Sequence, residues 1–179
     1  MKELELIFPT IEYKEQIENY WQDMSEASSK ANKHGTLETD YHEDFETWLK
    51  RCNDSKEGKN LPRGRVPSTQ YLCVRKLDNI VVGMIQIRHS LNDFLLNCVG
   101  HIGYSIAVGE RNKGYGKKML ALGLKKCKEL GIDKVLVTCK DTNVASRKCI
   151  IANGGQYEDT RTIKEENINL ERYWIDNKI

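Results

Sequence analysis

His101-Ile102-Gly103-Tyr104-Ser105-Ile106-Ala107-Val108-Gly109-Glu110-Arg111-Asn112-Lys113-Gly114-Tyr115-Gly116-Lys117-Lys118-Met119-Leu120 changes period halfway along. Ile102, Tyr104 and Ile106 alternate with small residues, which reads as a strand over 101–108. Gly109 to Gly116 is a loop. Residues 114–130 then read as a long helix. Met119, Leu120, Leu124, Cys127 and Leu130 form its apolar stripe, Lys117, Lys118, Lys125, Lys126 and Lys128 its wet side, and Gly131 its end. A helix start presents unpaired backbone N–H groups and the positive end of the helix dipole. Glycines there let a ligand approach the backbone. The unit is therefore a candidate anion cradle for a phosphate or pyrophosphate, with Arg111 and Lys113 adding positive charge. Its plainer reading is an ordinary strand–helix turn.

Working outward, Leu4, Leu6 and Phe8 predict a first strand. Ile11, Ile17, Tyr20, Trp21 and Met24 predict a helix over 11–29. Residues 30–39 read as a loop, with Asp40 as a cap for a second helix carrying Phe45, Trp48 and Leu49. Asn53 to Pro67 reads as a long loop. Tyr71 to Leu77, the turn Asp78-Asn79 and Ile80 to His89 read as a hairpin. After the 101–130 unit come a strand over 134–139, a short helix over 143–153 stopped by Gly154-Gly155, and strands around 156–163 and 168–175. The order β-α-α-β-β-β-α-β-α-β-β predicts an α/β (α+β) fold, a mixed sheet with helices on its faces. A chain of 179 residues is expected to form a single domain over 1–179, with an N-terminal part (1–69) and a core (70–179).

Composition excludes several classes. Lys and Arg number 28 and Asp and Glu 26, a net charge of +2, so neither a strongly basic nucleic-acid coat nor an acidic tail protein is expected. The apolar run Ile80 to Ile85 is far shorter than the roughly 20 residues that span a bilayer, and the N-terminus lacks a signal-peptide pattern. The chain is thus expected to be cytoplasmic and to bind no membrane. The cysteines at 52, 73, 98, 127, 139 and 149 form no C-x-x-C pair and read as reduced residues, mostly of the core, with no metal site expected. Motif spacing narrows the loop further. Gly109 and Gly114 have P-loop spacing, but Tyr115-Gly116 stand where Lys and Ser/Thr are needed. Gly114-x-Gly116 opens a dinucleotide fingerprint whose third glycine position holds Met119. His42-Glu43 begins a zincin motif, but Glu46 occupies the second histidine position.

Arg111-x-x-Gly114-x-Gly116, between an alternating strand and a long helix, resembles the coenzyme-A loop of the GCN5-related N-acetyltransferases (GNAT). Asn143-x-x-Ser146, followed by a short helix and Gly154-Gly155, resembles the second cofactor motif of that family. The run Gly100 to Ile106 resembles a bacterial subgroup of it. The resemblance covers most of 70–175 and implies a GNAT fold whose two central strands splay apart. It implies that the backbone of Arg111, Asn112, Lys113, Gly114, Tyr115 and Gly116 binds the pyrophosphate of acetyl-CoA. Ile106, Ala107 and Val108 would pair with the pantetheine amides, Asn143 would bond the same arm with Ser146 beside it, and Lys117, Arg147 or Lys148 would meet the 3′-phosphate.

The implied reaction is transfer of an acetyl group from acetyl-CoA to a primary amine of a small molecule, peptide or protein, directly within a ternary complex, by a monomer or homodimer. It needs a base for the amine proton. His101, at the mouth of its strand, has an ordinary pKa of about 6.5 that suits the task, and reads equally as a hydrogen-bonded structural histidine. Glu110 would repel the cofactor and is expected to face water. Many relatives protonate the departing thiolate with a tyrosine of the second-motif helix. That position holds Ile150 here. Tyr104 is the substitute candidate, or else a core residue, with Tyr157 and Tyr173 as weaker ones. Ile150 keeps open the alternative of a non-catalytic acyl-CoA sensor on the same fold. Glu38, Asp40, Glu43, Asp44 and Glu46 read as an acceptor-attracting cluster or as a solvated helix face, and Trp21, Trp48 and Trp174 as pocket walls or core.

Overall fold

The computed structural model describes residues 3–27, 44–164 and 167–178. Seven strands form one sheet in the order β1-β2-β3-β4-β5-β7-β6. Along the sequence the elements are β1 (Leu4–Ile7), α1 (Lys14–Ala27), α2 (Phe45–Glu57), β2 (Ser68–Arg75), β3 (Ile80–Arg88), β4 (Ile102–Ile106), α3 (Tyr115–Glu129), β5 (Lys134–Lys140), α4 (Val144–Ile151), β6 (Gln156–Ile163) and β7 (Ile168–Asp176). This is the mixed α/β order expected from the sequence. All neighbouring strands are antiparallel except β4 and β5.

Two apolar cores flank the sheet. One joins α3 and α4 to the sheet through Met119, Leu120, Cys127 and Ile150, packed on Ile85, Ile87, Ile102, Val135 and Val137. The other holds α1 and α2 through Ile17, Tyr20, Met24, Phe45, Trp48 and Cys52 on Leu72 and Met84. Gly123 shows how closely α3 lies on the sheet: a Cβ there would come within 2.5 Å of Ile85 Cδ1. The cysteines are free thiols; Cys52, Cys73, Cys127 and Cys139 are buried.

Three boundaries differ from the sequence reading. Residues 28–43, with Asp40 and the 30–39 loop, lie outside the described residues, and the cap of α2 is Asp44, whose carboxylate accepts the Thr47 N–H at 2.8 Å. That helix runs on through Asn53, Asp54 and Ser55, residues of low helix propensity. The Lys50–Asp54 pair and the burial of Ser55, bonded to Ser68 at 2.8 Å, hold it until Gly58 closes it at φ +68. The loop before β2 is therefore 58–67. Finally, β4 stops at Ile106, and Val108–Glu110 is a single 3₁₀ turn.

The centre of the sheet is a fork. β4 and β5 share the register Ile102↔Val137 and an isolated bridge Gly100↔Val137, and their ladder goes no further. Beyond that point β4 stays on β3, and β5 stays on β7 along its whole length from Lys134 to Lys140. The two strands run parallel and diverge toward their C-terminal ends, which lead into the 107–114 loop and into α4.

Candidate active site

At one mouth of the fork lies the glycine-rich loop. Asn112 and Gly114 both adopt left-handed backbone, at φ +62 and +80. Gly114 caps α3 with no side chain available to cap it, and the N–H groups of Asn112 to Gly116 find no acceptor among the described residues. Consecutive N–H groups around left-handed residues make an anion-binding nest, here at the positive end of a helix of 15 residues. The first turn carries no acid. Gly109 and Gly114 have open space where a Cβ would sit. Gly116 does not, since a Cβ there would lie 3.2 Å from Cys149 Sγ. It is the glycine that lets α3 and α4 pack.

Glu110 does not face water as expected. Its carboxylate takes Arg75 NH1 at 2.8 Å and Lys113 Nζ at 3.1 Å. Burial acts to raise its pKa, but those two cations outweigh it and hold the carboxyl below the usual range. Arg75 also forks onto Asp78 and donates to Tyr115 Oη at 3.1 Å. The buried guanidinium thus ties the loop and the first residue of α3 to the β2–β3 turn. Sequence reasoning missed Arg75; the Arg75-x-x-Asp78 spacing across a turn was its only signal. Lys113 folds back onto Gly109 O, and Arg111 bonds Ile106 O and Met24 Sδ on the α1 side. Both reach neighbouring protein groups, whereas the nest presents backbone.

Of the stretch expected to meet pantetheine, only Ile106 is in β4. The Ala107 N–H bonds Val82 O, and Ala107 and Val108 pack on the α1–α2 core. The open edge is accordingly that of Gly103 to Ile106.

On the other prong, Asn143 caps α4 by accepting the Ser146 N–H at 3.1 Å. Ser146 Oγ lies 3.0 Å from Tyr104 Oη, so a residue of β4 meets α4 across the fork. Burial raises the Tyr104 phenol above its ordinary range, so it keeps its proton at neutral pH. Ile150 is fully buried on the same helix. Tyr173 donates to Glu171, Tyr157 stacks edge-on against Tyr173, and Arg147 forks onto Glu171 instead of standing free for a phosphate. Lys117 is exposed.

His101 lies at the closed end of the fork, buried. Its backbone N–H donates to Leu136 O and its Nδ1 accepts the Leu136 N–H at 3.0 Å. Burial and the neighbouring Arg88 charge push its pKa down to about 4. On the opposite face of β4, Tyr20 of α1 meets Ser105 at 2.8 Å. Glu46 pairs with Lys14, Trp21 and Trp48 pack edge to face in the α1–α2 core, and Trp174 donates to Glu158. Glu38, Asp40 and Glu43 lie outside the described residues. Asp44, Glu46 and Trp48 belong to α2 or its cap and Trp21 packs on Trp48, while Trp174 stands apart on β7.

A forked sheet with a backbone anion nest beside one prong defines the class, and comparison with known proteins agrees. The sequence model of the acetyltransferase (GNAT) family matches residues 21–151, and the chain belongs to that family. Among solved structures, the microcin C7 self-immunity acetyltransferase MccE, in complex with acetyl-CoA and AMP, is similar at TM-score 0.71 and 12% identity, covering 97% of this chain and 92% of that one. The ribosomal-protein-S5-alanine acetyltransferase of Vibrio fischeri gives 0.71 and 15%, covering 99% and 95%. A GNAT-family acetyltransferase of Bacillus anthracis gives 0.65 and 19%, covering 100% and 98%. No curated protein sequence matches the chain.

Proposed function

We propose that the protein moves the acetyl group of acetyl-CoA to a primary amine by direct attack in a ternary complex. The observation carrying this is the run of N–H groups from Asn112 to Gly116, without an acceptor among the described residues and placed beside a fork whose β4 edge is open. In this reading the nest holds the pyrophosphate, Lys117 adds charge nearby, and the pantetheine arm lies along Gly103 to Ile106 as an added strand would. Asn143, its Oδ1 engaged in the cap, offers Nδ2 to the same arm. Cys149 of α4 lies under Gly116 of α3 and beside Tyr104, so in this reading a ligand gripped by the nest runs toward the Tyr104–Ser146 pair.

In the transfer, the amine nitrogen bonds to the acyl carbon, the C–S bond breaks and the amine loses a proton. Tyr104, held protonated and aimed by Ser146, is assigned to protonate the departing thiolate. It thereby fills from β4 the role that Ile150 cannot fill from α4. The carbonyl oxygen gains negative charge as it is attacked, and N–H groups on the open β4 edge are positioned to stabilise it. His101 is not assigned as the base: its Nδ1 already accepts a bond, and a pKa of about 4 makes it a poor proton acceptor. The amine is taken up as the free base or loses its proton to water. Activity accordingly rises with pH as the free-amine fraction grows. The acceptor enters from the α1–α2 face, where Tyr20 and Ser105 meet.

Titration calorimetry with acetyl-CoA, then thiol release across a panel of small amines and N-terminal peptides, tests the reading. Binding followed by turnover supports it. Saturable binding with no turnover on any amine favours the acyl-CoA sensor, for which the buried Ile150 speaks. Absence of binding at near-millimolar acetyl-CoA removes both.

A further inference from the structure

We propose that His101 is a positioning residue that sets the vertex of the fork, and so where the acyl-CoA slot begins. The inference rests on the acetyl-CoA reading above but uses a different observation. Leu136 of β5 turns its backbone carbonyl and N–H toward β4. His101 meets both, the carbonyl with its own N–H at 2.8 Å and the N–H with its ring Nδ1 at 3.0 Å. In a continuing parallel ladder that N–H would go to a backbone carbonyl. Here a side chain takes it. One register pair later, at Ile102↔Val137, the ladder ends.

The surroundings leave His101 little freedom. Its own carbonyl accepts the Arg88 N–H of β3 at 2.8 Å. Gly100, just before it, is at φ +80, and a Cβ there would lie 2.5 Å from Leu136 O, so only glycine lets the backbone approach β5 this closely. The Gly100 N–H closes the π-helical turn Leu95–Val99 onto Leu95 O, and its carbonyl takes Arg88 NH1 at 3.2 Å. Thr138 Oγ1 on β5 reaches back to Val99 O at 3.0 Å. These contacts pin the closed end from both strands, and the imidazole is the member whose removal leaves a buried backbone donor unpartnered. Without it the strands can separate a residue earlier or slide, and the slot loses its fixed floor relative to Tyr104.

Side-chain length separates this role from that of a base. Asparagine places Oδ1 where the imidazole has Nδ1, while glutamine mimics the Nε2 position. His101→Asn is expected to keep acetyl-CoA affinity and kcat within about threefold of the unaltered protein, with the same pH profile. His101→Gln and His101→Leu are expected to bind acetyl-CoA about tenfold or more weakly, as for a lost buried acceptor. Equal impairment of all three variants in kcat, with a flattened pH profile, would return His101 to the role of base. An unimpaired His101→Leu would remove any role. A measurement on the unaltered protein needs no variant to fold. In nitrogen-15 spectra at pH 7, Nδ1 should be the unprotonated ring nitrogen and the Leu136 amide should exchange slowly. A protonated Nδ1, or a fast-exchanging Leu136 amide, overturns the proposal. Those spectra stand even if acetyl-CoA fails to bind, so failure of the cofactor reading and failure of this one are told apart.

Discussion

At pH 7 the His101 imidazole is neutral in the folded protein, because burial first, and the Arg88 charge second, oppose its protonation and lower its pKa from 6.5 to about 4. The unfolded state imposes neither. Between these two values the unfolded state binds a proton that the folded state refuses, so stability rises with pH across that window. The contribution is complete above about pH 6.5 and is lost progressively down to pH 4, an amount of about 3 kcal/mol. Arg88 of β3 is the charged group acting on the ring. His101→Asn keeps the bond to Leu136 but cannot titrate. Urea unfolding at pH 7 and pH 4.5 should therefore show the variant losing less stability than the unaltered protein on acidification. Parallel losses in the two proteins would refute the assigned proton. Arg75 teaches a related lesson at this scale. Its buried guanidinium gathers Asp78, Glu110 and the Tyr115 hydroxyl, which lets a carboxylate sit next to the loop proposed to hold the pyrophosphate without opposing it.

At the scale of elements, the proposed grip on the cofactor depends on how α3 begins. The three loop glycines look alike in sequence but differ in cause. Gly109 has open space and no left-handed backbone, Gly114 has open space at φ +80, and Gly116 is confined by Cys149 of α4. Gly114→Ala forces a side chain into a conformation costing about 1–2 kcal/mol. The nest relieves that strain by turning its N–H groups, so acetyl-CoA binding should weaken about tenfold while far-ultraviolet dichroism stays unchanged. Gly109→Ala, its control, should bind as before. Equal affinity in both variants, measured by calorimetry, would mean the nest does not hold the ligand. The reason lies in the backbone: the left-handed turn is what aligns the N–H groups. The capping of α4 by Asn143 belongs here too. It sets Ser146 at the helix start, within 3.0 Å of Tyr104.

For the whole molecule, the fork is where ligand binding and stability meet. β4 beyond Ile102 is held by β3 on one side and by no ladder on the β5 side, so a ligand lying in the slot adds contacts between the two halves of the sheet. A ligand that binds only the folded state stabilises it by about 2.7 kcal/mol at one hundred times its dissociation constant. For a protein of this size that raises the melting temperature by roughly 5–10 °C. Differential scanning with acetyl-CoA should show this rise, and a dinucleotide lacking a pantetheine arm should not. A dinucleotide giving the larger shift would point away from the family's cosubstrate.

The order of elements, the glycine-rich strand-to-helix loop and the helix stripe of α3 were legible in the sequence, save for Leu130, which lies past the end of α3 and is exposed, because periodicity of 2 or 3.6 and glycine placement are local properties written directly in residue order. The left-handed turn at Gly114 and the Asn143 cap of α4 are likewise short runs whose geometry their own residues impose. The partners of polar side chains were not legible. Glu110 bonds to Arg75, 35 positions away, Tyr104 to Ser146 across 42, and Leu136 finds its acceptor in His101, just ahead of β4 and 35 positions away. Which charge a carboxylate meets, and whether an imidazole is exposed enough to titrate near neutrality, follow from burial and from which strands lie side by side. Only packing the whole molecule decides those, since desolvation and pairing energies depend on neighbours brought together by the fold rather than on neighbours in the sequence.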